Sequence, residues 1–331
     1  MSSGQHPRTS VIMPVYKTAD RVVSSIESVL AQTDPDFELL VMIDGSPDHS
    51  SEVVADFLRE HPDERVRVFD NPVNAGVSTV RNQALDAARG DWIAFIDSDD
   101  HFRPNFLSTM HAYARESEVD LVVCSHTLLS ADGTQRDRRA GKPGIRTGRE
   151  ATLELLSDDV TPYVWDKLVS AEAIRDVRFH TEVTRAEDAL FCVSAYANSR
   201  RVAIIPSSLY EYTVDAGSAT WGKITPVAES DALVEEIRRV AGPFLTTPAG
   251  RNAYQASRIL TYLNNAQQAI VLQGEEAQKV LETCRRRIQW SGIPAVLRVK
   301  PVFGLAGILL KVSPNIYRIL YGAYIRRMYG L

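Results

Sequence analysis

Gly90-Asp91-Trp92-Ile93-Ala94-Phe95-Ile96-Asp97-Ser98-Asp99-Asp100, residues 90–100, is the stretch on which the fold turns. Its first half reads as a short apolar strand, Trp92–Ile96, and its second half sets three carboxylates directly after that strand. Outward from it, the apolar runs Ser10–Val15, Phe37–Ile43, Val66–Asp70 and Leu121–Cys124 read as further strands. Between them Arg21–Gln32, Ser51–Glu60, Ser78–Ala88 and Pro104–Ser117 carry apolar residues at helical spacing. A run as apolar as Leu39-Leu40-Val41-Met42-Ile43 belongs to a strand covered by helices on both faces. Strands alternating with helices of this length predict an α/β fold with a mostly parallel sheet flanked by helices.

Polar residues gather where each strand ends: Tyr16 with Lys17, Asp44-Gly45-Ser46, Asn71 with Asn74, and Asp97-Ser98-Asp99-Asp100. Open α/β sheets bind ligands just beyond the carboxyl ends of their strands. Turns and helix starts also attract Asp, Asn and Ser, but four clusters in series point to a shared crevice. Neither the three-glycine dinucleotide fingerprint nor a Gly-rich loop ending in Gly-Lys-Ser/Thr follows any strand. Phosphates would then be held by a divalent ion on carboxylates, and Asp97, Asp99 and Asp100 offer hard oxygens suited to Mg²⁺ or Mn²⁺. A helix–loop–helix calcium site does not fit, because His101 stands where Asp or Asn is needed and Phe102 where the turn needs Gly.

The 331 residues carry a net charge of −5, with 44% hydrophobic and 24% charged residues, enough to bury a sizeable core. That charge is unevenly spread. No acid follows Glu282, whereas Arg285, Arg286, Arg287, Arg298, Lys300, Lys311, Arg318, Arg326 and Arg327 do. A basic surface confined to the last 49 residues excludes a general nucleic-acid binder. Cys124, Cys192 and Cys284 are odd in number and widely spaced, which fits buried thiols in a reducing compartment. With no signal peptide, and Val302–Leu310 too short to span a bilayer, a cytoplasmic protein is expected.

In sequence order, Val11-Ile12-Met13-Pro14-Val15-Tyr16, Val41-Met42-Ile43-Asp44-Gly45-Ser46, Asn74-Ala75-Gly76-Val77-Ser78 with Arg81-Asn82, and residues 90–100 resemble blocks of the family-2 glycosyltransferases of the GT-A fold. Trp165-Asp166-Lys167-Leu168 and Arg185-Ala186-Glu187-Asp188-Ala189-Leu190-Phe191 resemble two later blocks. The last is especially similar to bacterial enzymes that glycosylate teichoic acids and related surface polymers. The resemblance covers about residues 9–220.

It implies roles position by position. Pro14, Val15 and Tyr16 would line a nucleoside pocket, with Asp44 near the base and ribose and Asn74 on the donor side. Arg81 would face the donor diphosphate. Asp97 would lie near the ribose and the metal, Asp99 would bind the metal, and Asp100 would share either duty. Asp188 would be the general base with Glu187 supporting it, and Trp165 and Lys167 would meet acceptor or diphosphate. An inverting sugar transfer needs one base on the acceptor hydroxyl opposite the departing diphosphate, while a metal takes the place of an acid. Without the resemblance, Asp188 reads equally as a helix-start acid, Lys167 as a solvated lysine, and Arg81 as a partner of Asp86 or Asp91.

Two features depart from the family pattern. Ile43 stands where relatives carry the first of two acids, which bears on the nucleobase. The segment Thr213-Val214-Asp215-Ala216-Gly217-Ser218 lacks the Arg or His common there, with no such residue before Lys223.

Residues 126–160 read as a polar loop over the site, and 226–290 as about three helices packing on the catalytic domain or on a second subunit. Residues 293–331 combine Phe303, Leu309, Leu310, Tyr317, Leu320, Tyr321, Tyr324 and Tyr329 with the basic set. That pattern suits either a basic amphipathic contact with anionic membrane or a helix pair closing the domain, interrupted by Pro301 and Pro314. The chain thus divides into a GT-A domain at 1–222, a helical extension at 223–292 and a basic tail at 293–331. The expected activity is metal-dependent, inverting transfer from a nucleoside-diphosphate sugar, UDP first, to a surface polymer, polysaccharide or lipid-linked acceptor. A nucleotidyltransferase acting on a sugar phosphate and a non-catalytic nucleotide- or glycan-binding relative are the alternatives.

Overall fold

The computed structural model describes residues 6–130, 132–183, 185–214, 225–271 and 274–329, and in the last helix side chains only as far as Ala323. Two compact units divide the chain. The first comprises Met1–Ala151, Thr161–Thr181 and Glu187–Asp215, the second Thr152–Val160, Glu182–Ala186 and Ala216–Leu331.

The first unit begins β1 (Thr9–Val15), α1 (Val22–Leu30), β2 (Phe37–Asp44), α2 (Ser50–Glu60), β3 (Val66–Asn71), α3 (Val77–Ala87) and β4 (Trp92–Phe95). There follow β5 (His101–Phe102), α4 (Phe106–Ser117), β6 (Leu121–Ser130), β7 (Gln135–Arg138) and β8 (Gly144–Thr147), and α5 (Gly148–Leu156), which begins in the first unit and ends in the second. It closes with β9 (Lys167–Ser170), α6 (Glu187–Asn198) and β10 (Arg201–Val214). The ten strands form one sheet in the order β3-β2-β1-β4-β9-β6-β10-β5, with β7 added beside β6 and β8 beside β10.

β1 pairs parallel with both β2 and β4, and β2 with β3. This parallel half confirms the α/β reading, and its register puts Val15, Asp44 and Phe95 at one end of the sheet. β2 is buried along its whole length, as its unbroken apolar run requires, because helices cover both faces. α1 turns Val22, Ile26 and Val29 inward at i, i+4 and i+7. Within the sheet β9 runs reversed between two strands: it lies antiparallel to both β4 and β6, with Leu168 opposite Ala94 and Val122.

Residues 126–160 differ from the expected loop. β6 continues to Ser130 and pairs with β7, β8 pairs with β10, and α5 follows. Their polarity comes from position, not from lack of structure. β7 is exposed at every residue, so its sequence carries no buried face to betray a strand.

The second unit holds α7 (Val227–Ala241), α8 (Pro248–Val271), α9 (Glu275–Arg287), α10 (Ile293–Val299), α11 (Pro301–Val312) and α12 (Pro314–Tyr329). Three helices over 226–290 match the sequence reading. Ile259, Leu263, Ala266, Cys284, Val296, Leu310 and Tyr317 form its core. Pro301 and Pro314 each open a new helix, where the missing N–H costs nothing. All three cysteines are free and buried. No described helix is long and apolar enough to cross a membrane.

Candidate active site

The loops beyond β1 and β2 are tied together by one carboxylate. Asp48 accepts hydrogen bonds from the hydroxyls of Ser46 and Ser50 and from the backbone N–H of Ala19, at 2.6, 2.6 and 3.1 Å. Burial pulls its carboxyl upward, but these bonds outweigh that and hold it well below the usual range. Ser46 in turn receives the N–H of Lys17, which sits at a φ of +57°. This fixes Tyr16, 43% exposed, at the mouth of the crevice, with Val15 buried behind it and Pro14 half-buried. The sequence reading passed over Asp48; the run Asp44-Gly45-Ser46-Pro47-Asp48 carries the Asp/Ser turn chemistry that signals it.

Asp44 is buried, and its two oxygens are occupied. Oδ1 accepts the N–H of Ala75 at 2.7 Å; Oδ2 accepts the N–H of Gly76 at 2.9 Å and Nδ2 of Asn74 at 3.0 Å. Asn74 also donates to the Asp44 carbonyl at 3.1 Å. Gly45, at a φ of +56°, allows the approach: a Cβ there would lie 2.4 Å from the Asn74 nitrogen. Ile43 faces into the hydrophobic core, 1% exposed.

Arg81, on α3, is the centre of the site. Its buried guanidinium donates to Asp188 Oδ1 at 2.6 Å and to Asp97 Oδ1 at 3.3 Å, and lies 3.6 Å from Glu187 Oε1. The neighbours suggested by sequence proximity are not its partners; Asp86 pairs with Arg178 instead. Phe179 packs under the guanidinium, 5.2 Å from ring centre to Cζ. Among the described residues, its Nε–H is buried with no hydrogen-bond partner. Burial alone would ease the proton off, but the charges of Asp188, Asp97 and Glu187 outweigh it and hold Arg81 firmly protonated.

The acids around it are crowded. Asp97 is pushed up to about 6, by its enclosure first, with the charges of Asp188 and Asp99 adding and Arg81 opposing. Glu187 is pushed up to about 7 by burial and by Asp188 beside it, again against Arg81. Ala186, immediately before α6, holds a φ of +62°, a conformation costly for a residue with a Cβ, which sets the entry angle of Glu187 and Asp188. The backbone N–H of Val164 points to Asp188 Oδ2 at 3.4 Å.

The other two acids of the 97–100 run diverge. Asp99 is one-third exposed, with Arg21 at 3.6 Å. Asp100 is buried and turned toward β10, accepting the Tyr210 hydroxyl and the N–H of Thr213, both at 2.7 Å. Burial, then the charge of Asp97, pushes it well up.

Among the described residues, no three His, Cys, Asp or Glu side chains are arranged to enclose an ion. Asp97 and Asp99 offer one or two hard oxygens, the donor set with which Mg²⁺ or Mn²⁺ binds while keeping positions for phosphates and water. Asp97 and Asp99 stand close enough for the charge of one to raise the other, and a cation between phosphates and these carboxylates would offset that charge, so the residue types fit the ion.

Trp165 and Lys167 lie deeper than the sequence suggested. Trp165 is buried in a stack between Tyr163, 4.7 Å away, and Tyr210, 4.3 Å away. Tyr163, 40% exposed, presents the outer face of that stack, two residues ahead of the tryptophan the sequence singled out. Lys167 is buried with its ammonium on Asp166 Oδ1 at 2.7 Å and on the carbonyls of Thr161, at 3.1 Å, and Tyr163. It clamps the 161–164 turn rather than facing solvent. The segment from Asp215 to Lys223, noted for its missing Arg or His, lies outside the described residues apart from Thr213 and Val214 before it.

Comparison with known proteins places this arrangement. Residues 10–167 match the model of the family described as Glycosyl transferase family 2. The uncharacterized glycosyltransferase EpsJ of Bacillus subtilis is 30% identical over 224 residues, covering 65% of this chain and 63% of that protein. The chain thus spans about three-fifths of the length of the relatives it matches. Among solved structures, residues 1–349 of S. aureus TarS in complex with UDP-GlcNAc align with a TM-score of 0.72 at 19% identity, over 96% of this chain and 92% of that one. The mannosyltransferase PcManGT of Pyrobaculum calidifontis, in complex with GDP-Man and Mn²⁺, aligns at 0.54 and 16%, over 98% and 88%. At these identities the two structures share the fold with this chain.

Proposed function

The chain carries a glycosyl transferase family 2 domain of GT-A fold at residues 10–167, and from that premise we propose that it is an inverting, metal-dependent glycosyltransferase. Its donor is a nucleoside-diphosphate sugar, with UDP the first candidate because the TarS neighbour holds UDP-GlcNAc. Its acceptor is a hydroxyl of a cell-surface polymer, polysaccharide or lipid-linked glycan. One observation carries the reading: Arg81 draws Asp97 and Asp188, 91 positions apart, onto one buried cation.

In this reading Asp188 takes the proton from the acceptor hydroxyl as that oxygen attacks the anomeric carbon from the face opposite the diphosphate. The bond from the sugar to phosphate oxygen breaks in the same displacement, and no covalent enzyme intermediate is needed. Arg81 donates to the diphosphate and steadies Asp188 with the same guanidinium. Asp97 and Asp99 would hold the divalent ion, which would supply positive charge to offset the negative charge gathering on the leaving diphosphate. Glu187, pushed up to about 7 by burial and by the Asp188 charge, supports Asp188 from beside it. Tyr16 covers the nucleoside, and Asp44 with Asn74 shapes the donor loop. The domain division at 222 and 292 and a cytoplasmic workplace belong to the same proposal, as does a peripheral contact of residues 293–331 with anionic lipid, near lipid-linked acceptors.

The test is donor hydrolysis. The purified protein, screened against UDP- and GDP-sugars with Mg²⁺ or Mn²⁺, should release nucleoside diphosphate and lose that activity on chelation. No release with any donor, alongside unchanged thermal stability with every nucleotide sugar, would overturn the reading in favour of a non-catalytic relative.

A further inference from the structure

The last 49 residues are not the only basic stretch. Residues 134–149 carry Arg136, Arg138, Arg139, Lys142, Arg146 and Arg149 against a single acid, Asp137. The acids flanking them are used locally: Asp132 accepts the N–H of Thr134 at 2.9 Å, and Glu150 that of Thr147 at 2.8 Å. Arg136, Arg138, Arg139 and Lys142 are exposed, and none of the four forms an ion pair among the described residues. Elsewhere in the first unit Arg59, Arg65, Arg67, Arg103, Arg178 and Arg200 each meet a carboxylate. Cations gathered without counter-charge repel one another and attract the anions of a ligand.

Strand register fixes which way two of them face. β7 pairs antiparallel with β6, Arg138 opposite His126 and Arg136 opposite Leu128, and residues directly opposite share a face. Asp137 falls on the other face, where it accepts the Thr127 hydroxyl at 2.6 Å. β10 continues both rows, with Tyr210 beside His126 and Tyr212 beside Leu128. His126, Tyr210 and Tyr212 all pack on Trp165, at 4.8, 4.3 and 5.6 Å between ring centres. Tyr163 stacks on the same tryptophan, and its neighbour Val164 turns its N–H toward Asp188. One face of the sheet thus leads from two guanidiniums, about 7 Å apart along β7, across aromatic rings to the proposed base.

That position selects the occupant. An acceptor whose hydroxyl lies at Asp188 can continue past Tyr163 along this face, where unpaired guanidiniums favour units bearing carboxylate or phosphate. A single strand of nucleic acid would meet the same charges, but it stacks successive bases on successive rings. Of these rings Tyr163 alone is exposed, at 40%, while His126, Trp165 and Tyr210 are buried. Resting on the catalytic reading above, we infer that β7, with Arg136 and Arg138, and the following Arg139 and Lys142 form the binding surface for an anionic carbohydrate acceptor, a chain that carries carboxylate or phosphate groups along its length.

The experiment is calorimetric titration of the full chain at low salt with three oligomers of matched length: oligogalacturonate for carboxylate, oligo(glycerol phosphate) for phosphate, and a neutral malto-oligosaccharide. At least one anionic oligomer should bind at least about tenfold tighter than the neutral one and weaken as salt rises. The tighter of the two names the anion. Arg136→Glu/Arg138→Glu changes two exposed side chains and should remove that advantage while thermal unfolding stays at the parental temperature. Arg136→Gln/Arg138→Gln should reduce it by about threefold to tenfold. Equal affinity for neutral and anionic oligomers, no binding of either anionic one, or parental affinity in the double-Glu variant overturns the inference. So does tighter binding of an oligothymidylate than of both anionic oligomers, since it assigns the face to nucleic acid. None of these titrations needs turnover. Failure of donor hydrolysis with the anionic preference intact rejects the catalytic reading alone, and loss of that preference with hydrolysis intact rejects the anionic surface alone.

Discussion

Two strands that both run parallel to β1, β2 and β4, lead to an aspartate, Asp44 at the end of the first and Asp97 two residues past the second, and the two acids live in opposite circumstances. Asp44, the last residue of β2, has both oxygens filled by N–H groups of the 74–76 turn. Asp97, just past β4, shares one guanidinium with Asp188 and Glu187 and is crowded by Asp99 as well. A carboxylate surrounded by backbone donors is a structural tie, content as it stands. Carboxylates that outnumber their cations are held there against repulsion, and that imbalance is relieved by whatever the crevice binds. Residue type does not separate the two; the count of partners does.

The sharpest way to break this contrast is Asp188→Asn. If the crowded side is the chemical side, transfer should fall by roughly 10²–10⁴ in kcat, while donor affinity, read by calorimetry, stays near the parental value. Full activity would return Asp188 to the rank of a helix-start acid. Arg81→Lys comes next. One ammonium cannot reach three carboxylates as a planar fork does, so kcat/KM should drop by about 10². An Arg81→Lys enzyme with the parental kcat/KM would mean that the guanidinium does no more than neutralise charge.

On the saturated side the expectation inverts. Asp44→Asn should destabilise the protein by about 2 kcal/mol in urea unfolding, through lost charge-assisted bonds, with kcat changed less than tenfold in the folded protein. A large loss of kcat at unchanged stability would move Asp44 to the chemical side. The smallest effect belongs to His111, a buried ring at the opposite end of the sheet, bonded to Thr9 Oγ1 at 2.7 Å. Burial first, then Arg8, depresses it to about 4 against an ordinary 6.5. The unfolded chain therefore binds this proton first, and the contribution is complete above pH 6.5 and lost as pH falls toward 4. Between pH 7.5 and 5.5 His111 should cost about 1.4 kcal/mol of stability, a slope that His111→Asn should remove in denaturation run at both pH values.

Much of this was legible before any coordinates. The β1–β4 strands and α1–α4 helices lie within a residue or two of their sequence reading, α1 somewhat shorter, because parallel strands buried on both faces are written as unbroken apolar runs. The edge strands β7 and β8 were not legible, since four residues with one or no buried face leave little periodicity, and the reversed strand β9, though buried on both faces, is only four residues long. In the site, Asp97 stands out by its place after a strand, Arg81, Glu187 and Asp188 only through the family resemblance, and the fold brings the four together. What sequence could not supply was orientation: that Ile43 turns into the core, that Lys167 bonds inward, and that Tyr163 rather than Trp165 meets solvent.

The reversal of β9 has a bearing on how such a protein diversifies. A parallel strand brings to the rim only the residues that come after it; β9 runs the other way and brings those that come before, so residues 161–166 reach Asp188 from the opposite direction of the chain. The two banks of the crevice are in this way written in separate stretches of the gene. Mutations and length changes upstream of Lys167 can redraw one bank while the strand registers that align the other stay untouched. On the proposed function, a lineage can therefore explore new acceptors without relearning how to hold its donor.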